Sequence, residues 1–203
     1  CKKLKTNSEF SHIPVLMLTA RKSDEFRIKG IEHGADDYFS KPVNIELLKA
    51  RIKSVLETRR MLRERFTRQI LIQPEEITVT PLDEQFLRKA VKVVQEHMRD
   101  EDFDVVSFSR KMAMGRASLY RKMNAVVGEP PFKFIRSIRL KRAAQLLESG
   151  NYNVSKTMEE VGINGLSHFG KIFKDEFGCT PSDYKERHEK KALSAPKSPE
   201  LLD

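Results

Sequence analysis

Apolar residues change their spacing along this chain of 203 residues. Near the start, Pro14–Leu18 is a short continuous apolar run, the pattern of a strand buried on both faces. Ser23 to His33 carries helical spacing and stops at Gly34, a C-cap candidate. Asp37–Phe39 is a second short strand candidate and leads into Ser40-Lys41-Pro42. Asn44 then caps a helix with Leu47, Leu48, Ile52, Val55 and Leu56 at helical intervals, continuing through Leu62 to Phe66. Strand, helix, strand, helix implies a parallel α/β unit. Leu48, Val55 and Leu62 fall seven apart, as in a dimer seam, but Arg59 and Arg65 interrupt the series and a packed or solvated connector fits it as well.

Leu71 to Pro81 holds Pro74, the alternating Ile77-Thr78-Val79-Thr80 and Pro81, and reads as a linker or edge strand. The domain boundary falls there. From Asp83 onward the spacing is helical throughout. Asp83 is read as the cap of a helix carrying Phe86, Leu87, Ala90, Val91, Val94 and Met98 on one face. Asp104 caps a short helix through Lys111, Met112-Ala113-Met114 turns, and Gly115 starts a helix that ends near Gly128. Pro130-Pro131 opens a long helix through Leu147, which Gly150 stops. Asn153 caps another short helix to Val161, Gly162-Ile163 turns, and Asn164 is read as the cap of a helix through Phe177, ended by Gly178 and Pro181. The division is 1–57, an α/β segment; 58–82, a connector helix and linker; 83–190, a helical domain; and 191–203, an Ala/Ser/Pro/Lys-rich tail expected to be disordered.

The formal charge is +9, which suggests an anionic partner, and its distribution says more. Val105 to Leu147 holds ten Lys/Arg against one acid, Glu129, whereas Glu148 to Lys190 holds six against eight. The basic face is therefore local. Two cysteines, Cys1 and Cys179, make no disulfide framework and point to a reducing, cytoplasmic setting. No apolar run approaches the ~20 residues of a membrane span, and no membrane contact is expected from this segment. The five histidines show no metal-ligand spacing, and no nucleophile stands near a base or Gly-rich loop, so neither enzyme activity, nor a metal, nor a cofactor is expected.

The short helix, tight turn, second helix unit occurs twice, at Asp104–Val127 and Asn153–Phe177. One copy is weakly specific; two copies joined by one long helix are far more so. A helix-turn-helix offers the N-terminal part of its second helix to the major groove, and two copies can reach successive grooves about ~34 Å apart. Gly115-Arg-Ala-Ser-Leu-Tyr-Arg-Lys-Met123, Pro131-Phe-Lys-Phe-Ile-Arg-Ser-Ile-Arg-Leu140 with Ala143 and Leu146-Leu147, and Val161-Gly-Ile through Phe169, Phe173, Lys174, Phe177, Gly178, Thr180-Pro181 and Tyr184 resemble the AraC family. The likeness spans roughly Asp83 to His188. It implies that Arg116, Ala117, Tyr120 and Arg121 face bases in the first unit, and Asn164, Leu166, Ser167, Gly170 and Lys171 in the second. Arg116 and Arg121 suit bidentate contacts to guanine, each worth ~1–3 kcal/mol of discrimination, and Ala117 and Leu166 suit thymine methyls. Phosphate contact is the alternative for each. Arg136, Arg139, Lys141 and Arg142 on the connector divide between phosphate grip and solvated face. Phe169, Phe173 and Phe177 recur every four residues as a core ridge, not a base-stacking platform.

Ile13-Pro-Val-Leu-Met-Leu-Thr-Ala20, then Gly34-Ala-Asp-Asp-Tyr-Phe-Ser-Lys-Pro42, resembles the C-terminal half of a two-component receiver domain over about the first 57 residues. The resemblance implies that Thr19 hydrogen-bonds a phosphoryl group, Lys41 pairs with it, Tyr38 swings inward on activation, and Lys41-Pro42 is cis. The phosphorylatable Asp and metal-binding acids of that family lie on earlier strands, and Asp36 and Asp37 are expected to be solvated and not to replace them. A chain that starts at Cys1, in what reads as the middle of a helix, is expected to be a piece of a longer polypeptide that neither accepts phosphate nor holds Mg²⁺ by itself. Two strands without neighbours leave an exposed edge, so this piece is expected to fold poorly alone while the helical domain folds by itself. The fold class is mainly α: an all-helical tandem helix-turn-helix domain preceded by a truncated α/β, flavodoxin-like receiver fragment. The combination resembles the C-terminus of hybrid two-component regulators of gut Bacteroidetes, with a stand-alone response regulator as the near alternative. The implied function is sequence-specific transcription regulation as the output of a phosphorelay. The implied partners are double-stranded DNA, a histidine kinase domain in cis or trans and, left open, a second copy in a homodimer.

An interaction module that has lost base reading and a non-specific nucleic-acid binder are the rivals. Thr157-Met158 stands where the AraC pattern has Ile-Ala, Ile163 where it has Phe, and Ser109 at the corresponding Ala position of the first unit. Met158 is bulky at a close helix crossing and is expected to splay that pair slightly. With the lower charge of the C-terminal block, this makes the halves unequal. Arg121→Ala is expected to weaken DNA binding more than Lys171→Ala in a binding titration; an equal or greater loss from Lys171→Ala would refute it.

Overall fold

The computed structural model describes residues 1–20, 24–69, 73–76 and 78–194, without the side chains of 24–27, 67, 68 and 191–194. Ser23, Leu71, Ile77 and the expected tail from 195 onward lie outside the described residues. The chain forms two compact units, Cys1–Val93 with Asp104–Phe134 and Val94–Phe103 with Ile135–Asp203.

In the first unit, α1 (Lys2–Lys5) precedes β1 (Leu16–Thr19), α2 (Asp24–Glu32), β2 (Asp37–Ser40) and α3 (Ile45–Arg68). The strands pair in parallel with Leu16 opposite Asp37 and Thr19 opposite Ser40. The expectation that the first strand is buried on both faces fails: Leu18 is 47% exposed. Among the described residues the sheet has two strands, so one edge of β1 is unpaired. The Leu47 N–H donates to Asn44 Oδ1 at 3.1 Å and starts α3, which then runs unbroken past position 57. Its last turns bury Phe66, whose ring stacks on Phe134 at 5.6 Å, and Phe134 in turn stacks on Phe108 at 6.0 Å. Burying each such ring contributes about 1.5–3 kcal/mol.

Helix α4 (Pro81–Glu96) corrects one capping assignment. Proline occupies its first position, where no N–H is needed, and Thr80 Oγ1 accepts from the Asp83 N–H at 3.2 Å. Asp83 lies inside the helix and is buried, with the Ser11 hydroxyl donating to Oδ1 at 2.7 Å. The first helix-turn-helix follows as expected. Asp104 Oδ1 accepts from the Ser107 N–H at 2.8 Å to start α5 (Val105–Met112), Ala113 turns, and Gly115 caps α6 (Arg116–Val126).

Helix α7 (Pro131–Glu148) carries the chain into the second unit. There Asn153 Oδ1 accepts from the Lys156 N–H at 2.8 Å and starts α8 (Val154–Glu160), and α9 (Leu166–Phe177) follows. Its N-cap is Gly165, at φ +81°, and not Asn164, whose side-chain amide donates to Glu101 instead. The core holds Leu140, Ala143, Leu147, Phe169 and Phe173 with no exposed surface. Thr157 is fully buried too, while Met158 is only half-buried. Helix α9 ends at Phe177 with Gly178 as its C-cap, as expected, and a further helix, α10 (Pro181–Ser194), begins at Pro181. Proline again takes a first helical position, Thr180 Oγ1 accepts from the Asp183 N–H at 3.2 Å, and the Tyr184 ring closes on Phe173 at 5.3 Å.

The two turns share a left-handed conformation, at Ala113 (φ +55°) and Gly162 (φ +60°). Alanine tolerates it at a cost of about 1–2 kcal/mol where space allows, and Ala113 is exposed. Space does not allow it at Gly162, where an added Cβ would lie 2.5 Å from the Met98 carbonyl oxygen. Gly162→Ala is expected to destabilise the chain by about 2 kcal/mol or more, measured as a lower urea midpoint; an unchanged midpoint would contradict this close approach.

Candidate nucleic-acid interface

Helical periodicity divides α6 cleanly. Leu119, Lys122, Met123 and Val126 are buried, which leaves Arg116, Ala117, Tyr120 and Arg121 exposed on the opposite face. All four base-facing candidates of the first unit therefore share one free surface at the N-terminal half of the helix. The Arg121 guanidinium rests on Ser118 Oγ at 3.3 Å, a bond weak enough to exchange for a base or phosphate. In α9, Phe169, Ile172 and Phe173 are buried, and Leu166, Ser167 and Lys171 are exposed. Leu166 shows 53% of its surface, a substantial apolar exposure on an otherwise polar face. His168 is exposed beside them and escaped the sequence reading, though its i, i+3 spacing to Lys171 marks the same side. Neither helix carries an acid in its own first turn, which favours phosphate at each N-terminus.

Gly170 sits within this surface, and nothing lies within 4 Å of the place its Cβ would take. The glycine therefore serves no internal packing; it leaves bare backbone facing outward. Asn164 is exposed, but Glu101, in the loop before α5, takes its amide hydrogen bond. Glu101 was not foreseen, because 63 residues separate the partners.

Arg139 is a correction. It was expected on the DNA-facing surface, yet it is 7% exposed. Nη1 donates to the Gly162 carbonyl at 2.9 Å, and Nη2 donates to the carbonyls of His97 and Asp100. Burial lowers its pKa, with Asp100 and Glu101 working the other way. Its work is to hold the loop at 97–100 against the turn at Gly162. Lys141 is buried as well, whereas Arg136 is half-buried and Arg142 is exposed. A basic run that covers every side of one helix cannot show, as composition, which members reach solvent.

Among the receiver-type residues, the Lys41 N–H donates to the Thr19 carbonyl at 2.7 Å, which brings the ends of β1 and β2 together. Tyr38 is half-buried with its ring packed beside Gly30, and the Lys41-Pro42 peptide is cis as expected. Asp36 is not solvated. It pairs with Lys5 at 2.6 Å and Arg59 at 3.6 Å and accepts from the Val15 N–H at 2.8 Å. Burial pushes its carboxyl pKa up, but these bonds and charges outweigh burial and hold it below the usual range. Asp37 pairs with Arg51 at 2.6 Å. Among the described residues no group of three His, Cys, Asp or Glu side chains converges to hold a metal, and no helix is long and apolar enough to cross a membrane.

Two helix-turn-helix units, each with an exposed face on its second helix, follow a parallel strand–helix segment, and each part is similar to a known domain family. Residues 108–187 match the helix-turn-helix domain family, and residues 1–53 match the response regulator receiver domain family. Histidine kinase P4 of Formosa agariphila is 43% identical over 188 residues, 93% of this chain and 14% of that protein. The phosphate regulon transcriptional regulatory protein PhoB of Escherichia coli is 53% identical over 55 residues, 27% of this chain and 24% of that protein. The chain thus spans a minor part of the relatives it matches. The DNA-binding domain of AdpA, solved in complex with a target DNA, is 23% identical with a TM-score of 0.49, over 54% of this chain and 97% of that one.

Gly170→Ala tests the reading of the bare backbone. Replacing a helix-interior glycine into open space is expected to stabilise the chain by about 0.5–1 kcal/mol while weakening DNA binding. A variant both more stable and equally tight-binding would remove Gly170 from the interface.

Proposed function

We propose that the chain is the output end of a two-component phosphorelay and regulates transcription by reading two successive major grooves with α6 and α9. The carrying observation is that each helix buries one face and leaves its N-terminal half exposed, basic or apolar, and free of first-turn acids. Arg116, Ala117, Tyr120 and Arg121 read bases or phosphates from the first unit, and Leu166, Ser167, Gly170 and Lys171 from the second. Asn164 does so once it leaves Glu101, and Arg136 grips phosphate. The division at 1–57, 58–82 and 83–190 is part of this reading. So is the assignment of Thr19, Tyr38, Lys41 and Pro42 to the receiver's switch.

The likeness to a histidine kinase supports a kinase domain in cis as the phosphate source, and a stand-alone arrangement with the kinase in trans is the alternative. The chain itself works in the cytoplasm and catalyses nothing. A second copy is a further partner in this reading, through the exposed apolar positions of α3. A competition titration tests the central claim. Duplexes recovered from genomic fragments should stay bound against a ~10³-fold excess of random DNA, with affinity falling steeply as salt rises. Equal displacement by random DNA would leave non-specific binding, and no binding at all would leave an interaction module.

A further inference from the structure

We propose that Lys122 is a positioning residue that clamps the first recognition helix to the 7–13 segment ahead of β1, so that the receiver portion sets the orientation of α6. The proposal rests on the reading of α6 as a groove-reading helix. Lys122 follows Arg121 directly on α6, but its side chain points the opposite way and has no exposed surface. Its ammonium donates to the Ser8 carbonyl and to Ser11 Oγ at 2.9 Å, and it pairs with Asp83 Oδ1 at 3.2 Å. It also lies 4.8 Å from the centre of the Phe86 ring.

Three donors and three oxygens leave this cation fully matched, as a buried ammonium requires. Ser11 is equally buried and closes the cluster by donating to the same Asp83 oxygen at 2.7 Å. Burial works against the charged ammonium, and Asp83 opposes that effect. Asp83 alone would suffice for a structural ion pair between α4 and α6. Two of the three oxygens come instead from a segment more than 100 residues earlier, outside the helical domain. A second contact follows the same route: Arg63 of α3 donates from Nε to the Ala125 carbonyl at 3.0 Å, near the end of α6. The helix is therefore held at its middle by the receiver portion and near its end by the connector part of α3. A movement of residues 8–11 cannot leave Lys122 matched unless α6 follows.

Ser11→Ala separates this from a role in stability alone, because it removes one of the two oxygens the segment offers Lys122, leaving the Ser8 carbonyl, and keeps the Asp83–Lys122 pair. In the full chain, amides 119–123 should exchange hydrogen about tenfold faster than in the unaltered chain, without DNA present, and Ser11→Thr should restore them. Specific-duplex affinity should fall about fivefold or more at temperatures where both proteins are folded. By reciprocity, that duplex should slow exchange at amides 8–13 in the unaltered chain and not in Lys122→Met, whose apolar side chain keeps the volume filled. Unchanged exchange at 119–123 in Ser11→Ala would overturn the clamp. A chain that shows the exchange effect but no sequence preference keeps the clamp and loses the groove-reading role instead.

Discussion

A helix can present one face to a ligand only if its other face is fixed, and in each unit an aromatic core supplies that fixture. In the first unit, Phe108 of α5, Phe134 and Phe66 stack in series. In the second, Phe169 and Phe173 meet edge to face and Tyr184 closes over Phe173. These contacts decide which residues of α6 and α9 are spent on packing. Everything offered outward follows as the remainder of a 3.6-residue period. The free N-termini add to it, since a polar or charged ligand is drawn to unpaired backbone N–H groups.

The two units reach this end by different means. The first uses an alanine in a left-handed turn with open space around it, and a buried lysine drawn toward residues 8–11. The second needs glycine at the same turn, because the loop at 97–100 crosses it at contact distance, and it uses Arg139 to hold that loop. Each unit thus buries basic side chains, Lys122 in the first and Arg139 and Lys141 in the second. The formal charge of the central block therefore overstates the charge available to DNA, by at least Lys122, Arg139 and Lys141.

Helix positions and turns were legible in the sequence because they depend on local rules: Asp104 and Asn153 at N-caps, glycine after helices, and apolar residues at helical intervals. The parallel strand pair was legible from the alternation of strand and helix, and the cis bond at Pro42 by family resemblance. What escaped depended on distant partners. Asp83 looked like a cap because Lys122 and Ser11 lie far away in sequence. Asn164 looked like one because Gly165 beside it offered no side chain to weigh. Arg139 looked like a surface cation because charge counts carry no direction. Helix α10 was hidden by a proline that starts a helix as readily as it ends one. Leu18 is exposed because the burial of a sheet face depends on what packs over it, not on the apolar run itself.

The length of α3 has a mechanical consequence. Its 24 residues extend about 36 Å without a break, from the loop after the cis proline to the Phe66–Phe134 stack. An uninterrupted helix bends little over such a distance, so it behaves as a lever and not as a tether. A tilt of a few degrees imposed near Ile45 displaces the far end by an ångström or two, enough to unseat one aromatic ring from another, and no hinge along the way absorbs it.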